Sequence, residues 1–324
     1  MPSRIVRRMF VCLAAVFLAV AAFAEDDIAA GDSVLSVHSD AQENVADFES
    51  IREAVEQGIA EAQYDCGKCL LHGWGVEKDE AEAVKWFRKS AEQGCAKAQN
   101  ELGACYFNGK GVTRDDAEAV KWFRKAADQD DAWAQLNLGL CYRQGRGVAK
   151  DDAEAVSWYR KAAEQGLAQA QHNLGVSYYE GDGVTKDDAE AVKWFRKAAE
   201  QGIARAQYNL GLSYYDGDGV TKDEAEAIEW FRKAAEQGLA SAQNKLGVCY
   251  LLGNGVKRNI VESFKWFRCA AAQGNADAQR VLARMKKLLV SITGLIVLLL
   301  FFVTLIIRSK KRKKDKLKMA GGKA

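Results

Sequence analysis

The chain has 324 residues, 48% hydrophobic and 28% charged, with 28 glycines and one proline, Pro2. Its length would suit two ordinary domains, and its composition excludes a long disordered, collagen-like or proline-rich protein. The formal charge of +2 hides a segregation: residues 25–307 carry 34 basic against 43 acidic side chains, while 308–324 carry nine Lys/Arg and one Asp. An acidic main body lacks the positive surface that nucleic-acid phosphates require, so no nucleic-acid partner is expected. Without proline beyond position 2, nothing interrupts helices and glycine must punctuate them. The expected fold class is all-α.

Residues 1–24 place Arg4, Arg7 and Arg8 before an apolar run from Phe10 that ends in Ala22-Phe23-Ala24, followed by Glu25-Asp26-Asp27. A charged start, a short apolar core and small residues at its end make a cleavable secretory signal; the alternative is an uncleaved anchor, which leaves the rest of the chain on the same side. Residues 25–40 read as a linker. Residues 41–59 read as a lone helix that caps whatever follows.

The middle is periodic. Trp86, Trp122, Trp158, Trp194, Trp230 and Trp266 are 36 residues apart, as are Gly67, Gly103, Gly139, Gly175, Gly211 and Gly247. Within the copy at 168–203, Ala170, Leu174 and Tyr178 recur at four, and Val192, Phe195 and Ala199 at three and four, so each copy is a pair of helices. Asp187 followed by Glu190 predicts a reciprocal cap, the Asp oxygen taking a free backbone N–H and the Glu reaching back. Gly202 stands where a helix ends in the left-handed region, and Gly181 and Gly183 are expected to close the other helix likewise. Gly175, inside a helix, implies a close approach of its neighbour. The Trp194 column is expected to fill the wedge between copies. One helix pair cannot bury both of its faces, so six copies over 60–275 must stack into a solenoid.

The unit Ala-x-Ala-Gln, Leu-Gly-x-x-Tyr, Gly-x-Gly-Val, Asp, Ala-x-x-Trp, Ala-Ala-x-Gln-Gly resembles the Sel1-like repeat, a relative of the tetratricopeptide repeat, over roughly two thirds of the chain. The resemblance implies an αα-superhelix of the kind that works as an adaptor or scaffold, including in membrane-associated and secretory complexes. Departures are few. Asp130-Asp131 replaces one turn glycine and is expected to distort the superhelix locally; Cys66, Leu70 and Ala283 replace Leu, Tyr and Gly near the ends.

Residues 276–287 read as a lone capping helix that runs into 288–307, LLVSITGLIVLLLFFVTLII, without a charge. Twenty residues at a rise of about 1.5 Å match a hydrocarbon core of ~30 Å, so a transmembrane helix is expected. The basic tail, 308–324, then lies in the cytoplasm, as a stop-transfer signal or as a binder of anionic headgroups. The expected topology is a single-pass type I membrane protein with its repeats extracytoplasmic. The absence of any Asn-x-Ser/Thr acceptor favours a bacterial periplasm over an endoplasmic reticulum lumen.

In the tetratricopeptide register, columns that vary between copies face a groove. The column Glu61, Lys97, Trp133, Gln169, Arg205, Ser241, Asp277 varies most. Together the columns predict a partner-binding stretch of Trp133, Leu136, Leu140, His172, Val176, Tyr179, Tyr208, Leu212 and Tyr215, with Trp133 as an anchor for a peptide or protein; the alternative is that neighbouring copies partly bury these side chains. Cys69, Cys105, Cys141 and Cys249 share one column, and equivalent points about 8–10 Å apart exceed the ~7 Å Cα limit of a disulfide, so small buried thiols are expected. Regular cysteine spacing, which in some relatives implies disulfides between paired helices, is absent. His38, His72 and His172 form no catalytic or metal set, the Ser-x-x-Lys signature is missing, and the Gly-Asp-Gly loops lack calcium or phosphate spacing. Hence no enzyme, no metal and no cofactor are expected. The function read from sequence is a membrane-tethered scaffold; a cell-envelope regulator or enzyme-associated subunit that binds glycan or peptidoglycan is the alternative.

Overall fold

A computed structural model describes residues 51–320, excepting the side chains of 289, 290, 292, 293, 295–297 and 307–320. The signal, the linker and residues 41–50 of the expected cap lie outside the described residues, as do 321–324. Residues 51–56 are helical. Copy one is α1 (Ala60–His72) and α2 (Glu80–Glu92), copy two α3 (Ala96–Asn108) and α4 (Asp116–Ala127), and copy three α5 (Ala132–Gln144) and α6 (Asp152–Glu164). Copy four is α7 (Ala168–Glu180) and α8 (Asp188–Glu200), copy five α9 (Ala204–Asp216) and α10 (Glu224–Glu236), and copy six α11 (Ala240–Leu252) and α12 (Ile260–Ala272). The last helix, α13, runs from Ala276 to Ala320. Each helix packs on the one before and the one after it, and the described residues contain no strand. This is an α-solenoid of stacked hairpins.

Each second helix starts as its sequence dictates, at Asp79, Asp115, Asp151, Asp187, Asp223 or Asn259, whose side chain accepts from the backbone N–H three residues on. The reciprocal half of the expected cap does not form. The cap residue's own N–H is already donated to the carbonyl of Leu70, Tyr106, Tyr142, Tyr178, Tyr214 or Tyr250, which closes the loop between the paired helices. The glutamates therefore turn elsewhere: Glu82, Glu118, Glu190 and Glu262 bind the lysine three residues on, and Glu154 and Glu226 accept the indole N–H of Trp158 and Trp230.

The mid-helix glycines do permit close approach. A Cβ on Gly175 would lie 2.7 Å from the Phe195 ring, and the same holds at 2.6–2.9 Å for Gly67, Gly103, Gly139, Gly211 and Gly247 against Phe87, Phe123, Tyr159, Phe231 and Phe267. The loop glycines divide their work, contrary to the sequence expectation. Gly181 caps its helix at φ +79°, but a Cβ on Gly183 would sit 2.1 Å from the Asp152 carbonyl oxygen in the preceding copy. Gly111, Gly147, Gly219 and Gly255 meet the start of the preceding copy's second helix in the same way. The second glycine is thus a joint between copies.

Asp130 adopts φ +63°, the one non-glycine residue in that region among the described residues. Asp tolerates the left-handed region better than most side chains. The Asp131 N–H still reaches the Ala126 carbonyl, as Cys95, Leu167 and Ile203 reach theirs, and the Asp131 side chain caps α5. The change at this turn is confined to α4 ending one residue sooner than the other second helices.

Two further sets of bonds knit the array. The glutamine of each Ala-x-Ala-Gln accepts from the glutamine thirty residues on, Gln165 to Gln135 at 2.9 Å and Gln201 to Gln171 at 2.8 Å. Its own amide donates to the last turn of the preceding copy, as Gln171 does to the Ala163 carbonyl at 3.2 Å and Gln207 to the Ala199 carbonyl at 3.1 Å. Arg160 and Arg232 donate to the hydroxyls of Tyr178 and Tyr250 in the next copy at 2.8 and 3.0 Å, and Arg88, Arg124 and Arg196 donate likewise to Tyr106, Tyr142 and Tyr214. Trp122, Trp158, Trp194 and Trp230 are buried in the core of the preceding copy, as the wedge reading expects. The outermost Trp86 and Trp266 remain half-buried.

Past Ala276 the chain continues as one helix of 45 residues. Val281, Leu282 and Met285 pack with Leu251 around Phe267, Ala270 and Ala278, so the first turns of α13 cover the open face of copy six. Among the described residues no helix is long and apolar enough to cross a membrane, so the expected span is not found there. Part of 288–307 lies outside the described side chains.

Candidate functional site: the face of the first helices

The first helices present the columns expected to face a groove. Of the most variable column, Glu61, Lys97, Trp133, Arg205 and Asp277 are exposed, and Gln169 and Ser241 half-buried. Trp133 is 56% exposed and Tyr179 42%. A large aromatic held in water by a rigid helix has no role in the core, and the neighbouring Asp131 cap fixes where α5 starts and hence where Trp133 projects.

The expected residues do not form one apolar stretch. Leu136 and His172 are buried, a correction to the sequence reading. Leu136 belongs to the core with Tyr159 and Leu174. His172 lies 6.0 Å from the Phe195 ring and 3.3 Å, Nε2 to Nδ2, from Asn209 of the next copy. Burial holds the His172 imidazole below its ordinary pKa, and the ring links adjacent copies through Asn209. Leu136, His172 and Tyr208 share a column that faces inward because the aromatic of the paired second helix lies beneath it; Tyr208 packs on Phe231 at 5.7 Å.

The remainder separates into two hollows. In copies four and five, Val176, Tyr179 and Leu212 line a hollow of about 140 Å³ with Asn209 and Asp218 at its polar side. Tyr215 does not line it and lies 6.2 Å from Phe231 and under the Lys245 ammonium at 3.8 Å. Leu140 is half-buried against the copy-three core. Trp133 instead walls a larger, polar hollow of about 560 Å³ shared with Tyr64, Lys68, Lys97, Asn100 and Glu101. There Asn137 donates to Asn100 at 2.9 Å, and burial raises the Glu101 carboxyl pKa while Lys68 opposes it. Sequence reasoning left Glu101 and Asn137 out. Their signal is a column reading Asp65, Glu101, Asn137, Asn173, Asn209, Lys245, in which Asn is the rule and Glu101 an exception.

Among the described residues no group of three His, Cys, Asp or Glu could hold a metal ion. Cys69, Cys105, Cys141 and Cys249 are buried and form no disulfide, as their column predicts; Cys66, outside that column, is also buried, while Cys269 is exposed. Burial pushes the Cys105 and Cys141 thiols up to about 12 and those of Cys66 and Cys249 to about 11. Because the unfolded thiols titrate first, near 9, stability falls as pH rises past that value toward the folded values. At pH 8 a maleimide is expected to modify Cys269 in the native protein and to spare Cys105 and Cys141 until denaturant is added. Equal rates at all three, mapped by mass spectrometry, would contradict this burial.

The Sel1 repeat model matches six consecutive segments, 60–95, 96–131, 134–167, 168–203, 204–239 and 240–275. A protective antigen from uropathogenic Escherichia coli with an SLR fold is 42% identical, at a TM-score of 0.69 over 74% of this chain and 51% of that one. The chain thus spans about half of that antigen's length. A Sel1 repeat protein from Oxalobacter formigenes is 36% identical, with a TM-score of 0.65 over 71% of this chain and 92% of its own. The Cut9-Hcn1 hetero-tetramer of the APC/C shares the fold alone, at 17% identity and a TM-score of 0.52 over 75% of this chain and 46% of that one. No curated protein sequence matches. With the repeat model covering 60–275 almost without a gap, and the helix pairs, joints and caps recurring in the same segments, the chain belongs to the Sel1 repeat family.

Proposed function

We propose that this chain is a membrane-tethered scaffold that presents its repeats to a peptide or protein partner along the face of the first helices. Sel1 repeat proteins generally serve as protein-interaction scaffolds. The observation that carries the reading is that the most variable column is largely exposed, with Trp133 56% open to solvent beside a hollow of about 560 Å³. Aromatic anchors beside hydrogen-bonding groups are the usual centres of binding energy. Tethering is supported by the uncharged run 288–307, followed by eight Lys/Arg within 308–318, which by the positive-inside rule puts the repeats outside the cytoplasm and the tail within it. The amino-terminal signal of 1–24 agrees with that orientation.

The test is affinity purification of the full chain in mild detergent. Trp133→Ala and Tyr179→Ala, each losing contacts worth about 1–2 kcal/mol or more at a binding hot spot, are expected to deplete the captured protein about tenfold. If every captured partner stays bound to both variants, the binding face is elsewhere; glycan retention without a protein partner would favour ligand binding in the cell envelope instead.

A further inference from the structure

The loop at the end of copy six breaks its column in three places at once. Leu252 stands where earlier copies have His72, Asn108, Gln144, Glu180 and Asp216; Ile260 stands where they have Glu80, Asp116, Asp152, Asp188 and Glu224; and Val261 replaces alanine. In the earlier copies that acid pairs with the basic residue two positions before it, Lys78 with Glu80, Arg114 with Asp116, Lys150 with Asp152, Lys186 with Asp188 and Lys222 with Glu224. In copy six the acid is gone, Arg258 loses the carboxylate its column otherwise meets, and Lys257 adds a second positive charge where the other copies have Thr, Ala or Glu. The three apolar side chains are left 61%, 52% and 63% exposed. They lie together, because the Asn259 N–H to Tyr250 carbonyl bond at 2.9 Å closes the loop between them.

Position supplies the second observation. α13 turns back after Ala272 and runs antiparallel to α12, so about 13 residues of helix bring it level with Ile260. Met285 and Leu251 pack on one cluster, which fixes that level. Leu288, 63% exposed and first in the uncharged run, therefore emerges beside the Leu252, Ile260 and Val261 tip, with Lys286 and Lys287 exposed just before it.

We infer that the copy-six loop is a lipid-facing foot, its aliphatic tip entering the bilayer interface and Lys257, Arg258, Lys286 and Lys287 meeting anionic headgroups. The inference rests on the tethering reading above. A foot and a helix side by side hold the array at a fixed inclination to the bilayer, whereas a helix alone leaves it free to swing. Each cation is drawn to an anionic surface, and burial of the aliphatic tip adds to that attraction.

The test places the full chain in nanodiscs of phosphatidylcholine, with and without phosphatidylglycerol, containing a lipid with a photoactivatable diazirine on its acyl chain. Adducts are mapped by mass spectrometry. Expected are adducts on 252–261 as well as on 288–307, none on the equivalent loop 216–225, and a rise at 252–261 when phosphatidylglycerol is present. The variant Leu252→Asp, Ile260→Glu, Val261→Ala carries copy-five side chains that this fold already accommodates, and is expected to lose about tenfold of the loop adducts, one aliphatic side chain's worth of transfer, while keeping those on 288–307. Adducts on 288–307 with none on 252–261 in the native chain would overturn the foot and leave the tether standing. None on either segment would overturn both.

Discussion

Replacing Gly183 by alanine is expected to loosen the array at one joint rather than to weaken it evenly. The backbone at φ +71° costs an L-residue about 1–2 kcal/mol, and the new Cβ, 2.1 Å from the Asp152 oxygen and 2.6 Å from the Ala153 nitrogen, cannot be relieved by a side-chain rotation because both neighbours are backbone. Overpacking of this kind adds about 1–3 kcal/mol. In a linear array the loss falls on the interface between copies three and four, so urea unfolding followed by circular dichroism should broaden or divide into two steps. Gly202→Ala supplies the comparison: its φ of +90° carries the same backbone cost, but nothing lies within 4 Å of the added atom. Equal losses from the two variants would show that backbone strain alone is at work and that the joint is looser than described.

A second large effect is expected at the aromatic beneath each helical glycine. Phe231 is fully buried over Gly211, and its truncation to alanine should cost about 3–5 kcal/mol. The informative measurement is the pair. In the native background Gly211→Ala drives a Cβ to 2.7 Å from the ring and should destabilise by about 1–3 kcal/mol. In the Phe231→Ala background that ring is absent, and alanine should recover up to about 1 kcal/mol of helix propensity. The sign of the glycine substitution therefore reverses between backgrounds. Additive losses in the double-mutant cycle would mean that the glycine is required for something other than this ring.

Much of this architecture is legible in the sequence because its causes are local and repeated. The Asp187 cap, the buried Cys105 and Cys141 thiols and the close approach at Gly175 each follow from one residue and its immediate helix. What escaped depends on a neighbour that sequence does not place. Nothing about Glu190 reveals that the Asp187 N–H is already bonded to Tyr178. Nothing about Gly183 names Asp152 as the backbone it must clear, and Gln171 reads as a motif letter until it is seen to bond both Gln201 and Ala163. In the candidate site, the helical register correctly sends Trp133 into solvent, yet it cannot distinguish facing the groove from being covered within it. Leu136 and His172 fail on that difference. The polar hollow beside Trp133 was hidden for a related reason, since its carboxylate, Glu101, occupies a column whose other members are mostly asparagine.

The glutamine bonds have a further consequence for ancestry. Every junction is welded by the same glutamine amide on a backbone carbonyl and the same loop glycine, so a thirty-six-codon segment can be duplicated or lost in frame and the flanking units still mate with what replaces it. A fragment of any other length leaves an amide facing the wrong helix. Unequal recombination can then lengthen or shorten such a rod in whole increments, and its reach evolves by counting while its surface evolves residue by residue.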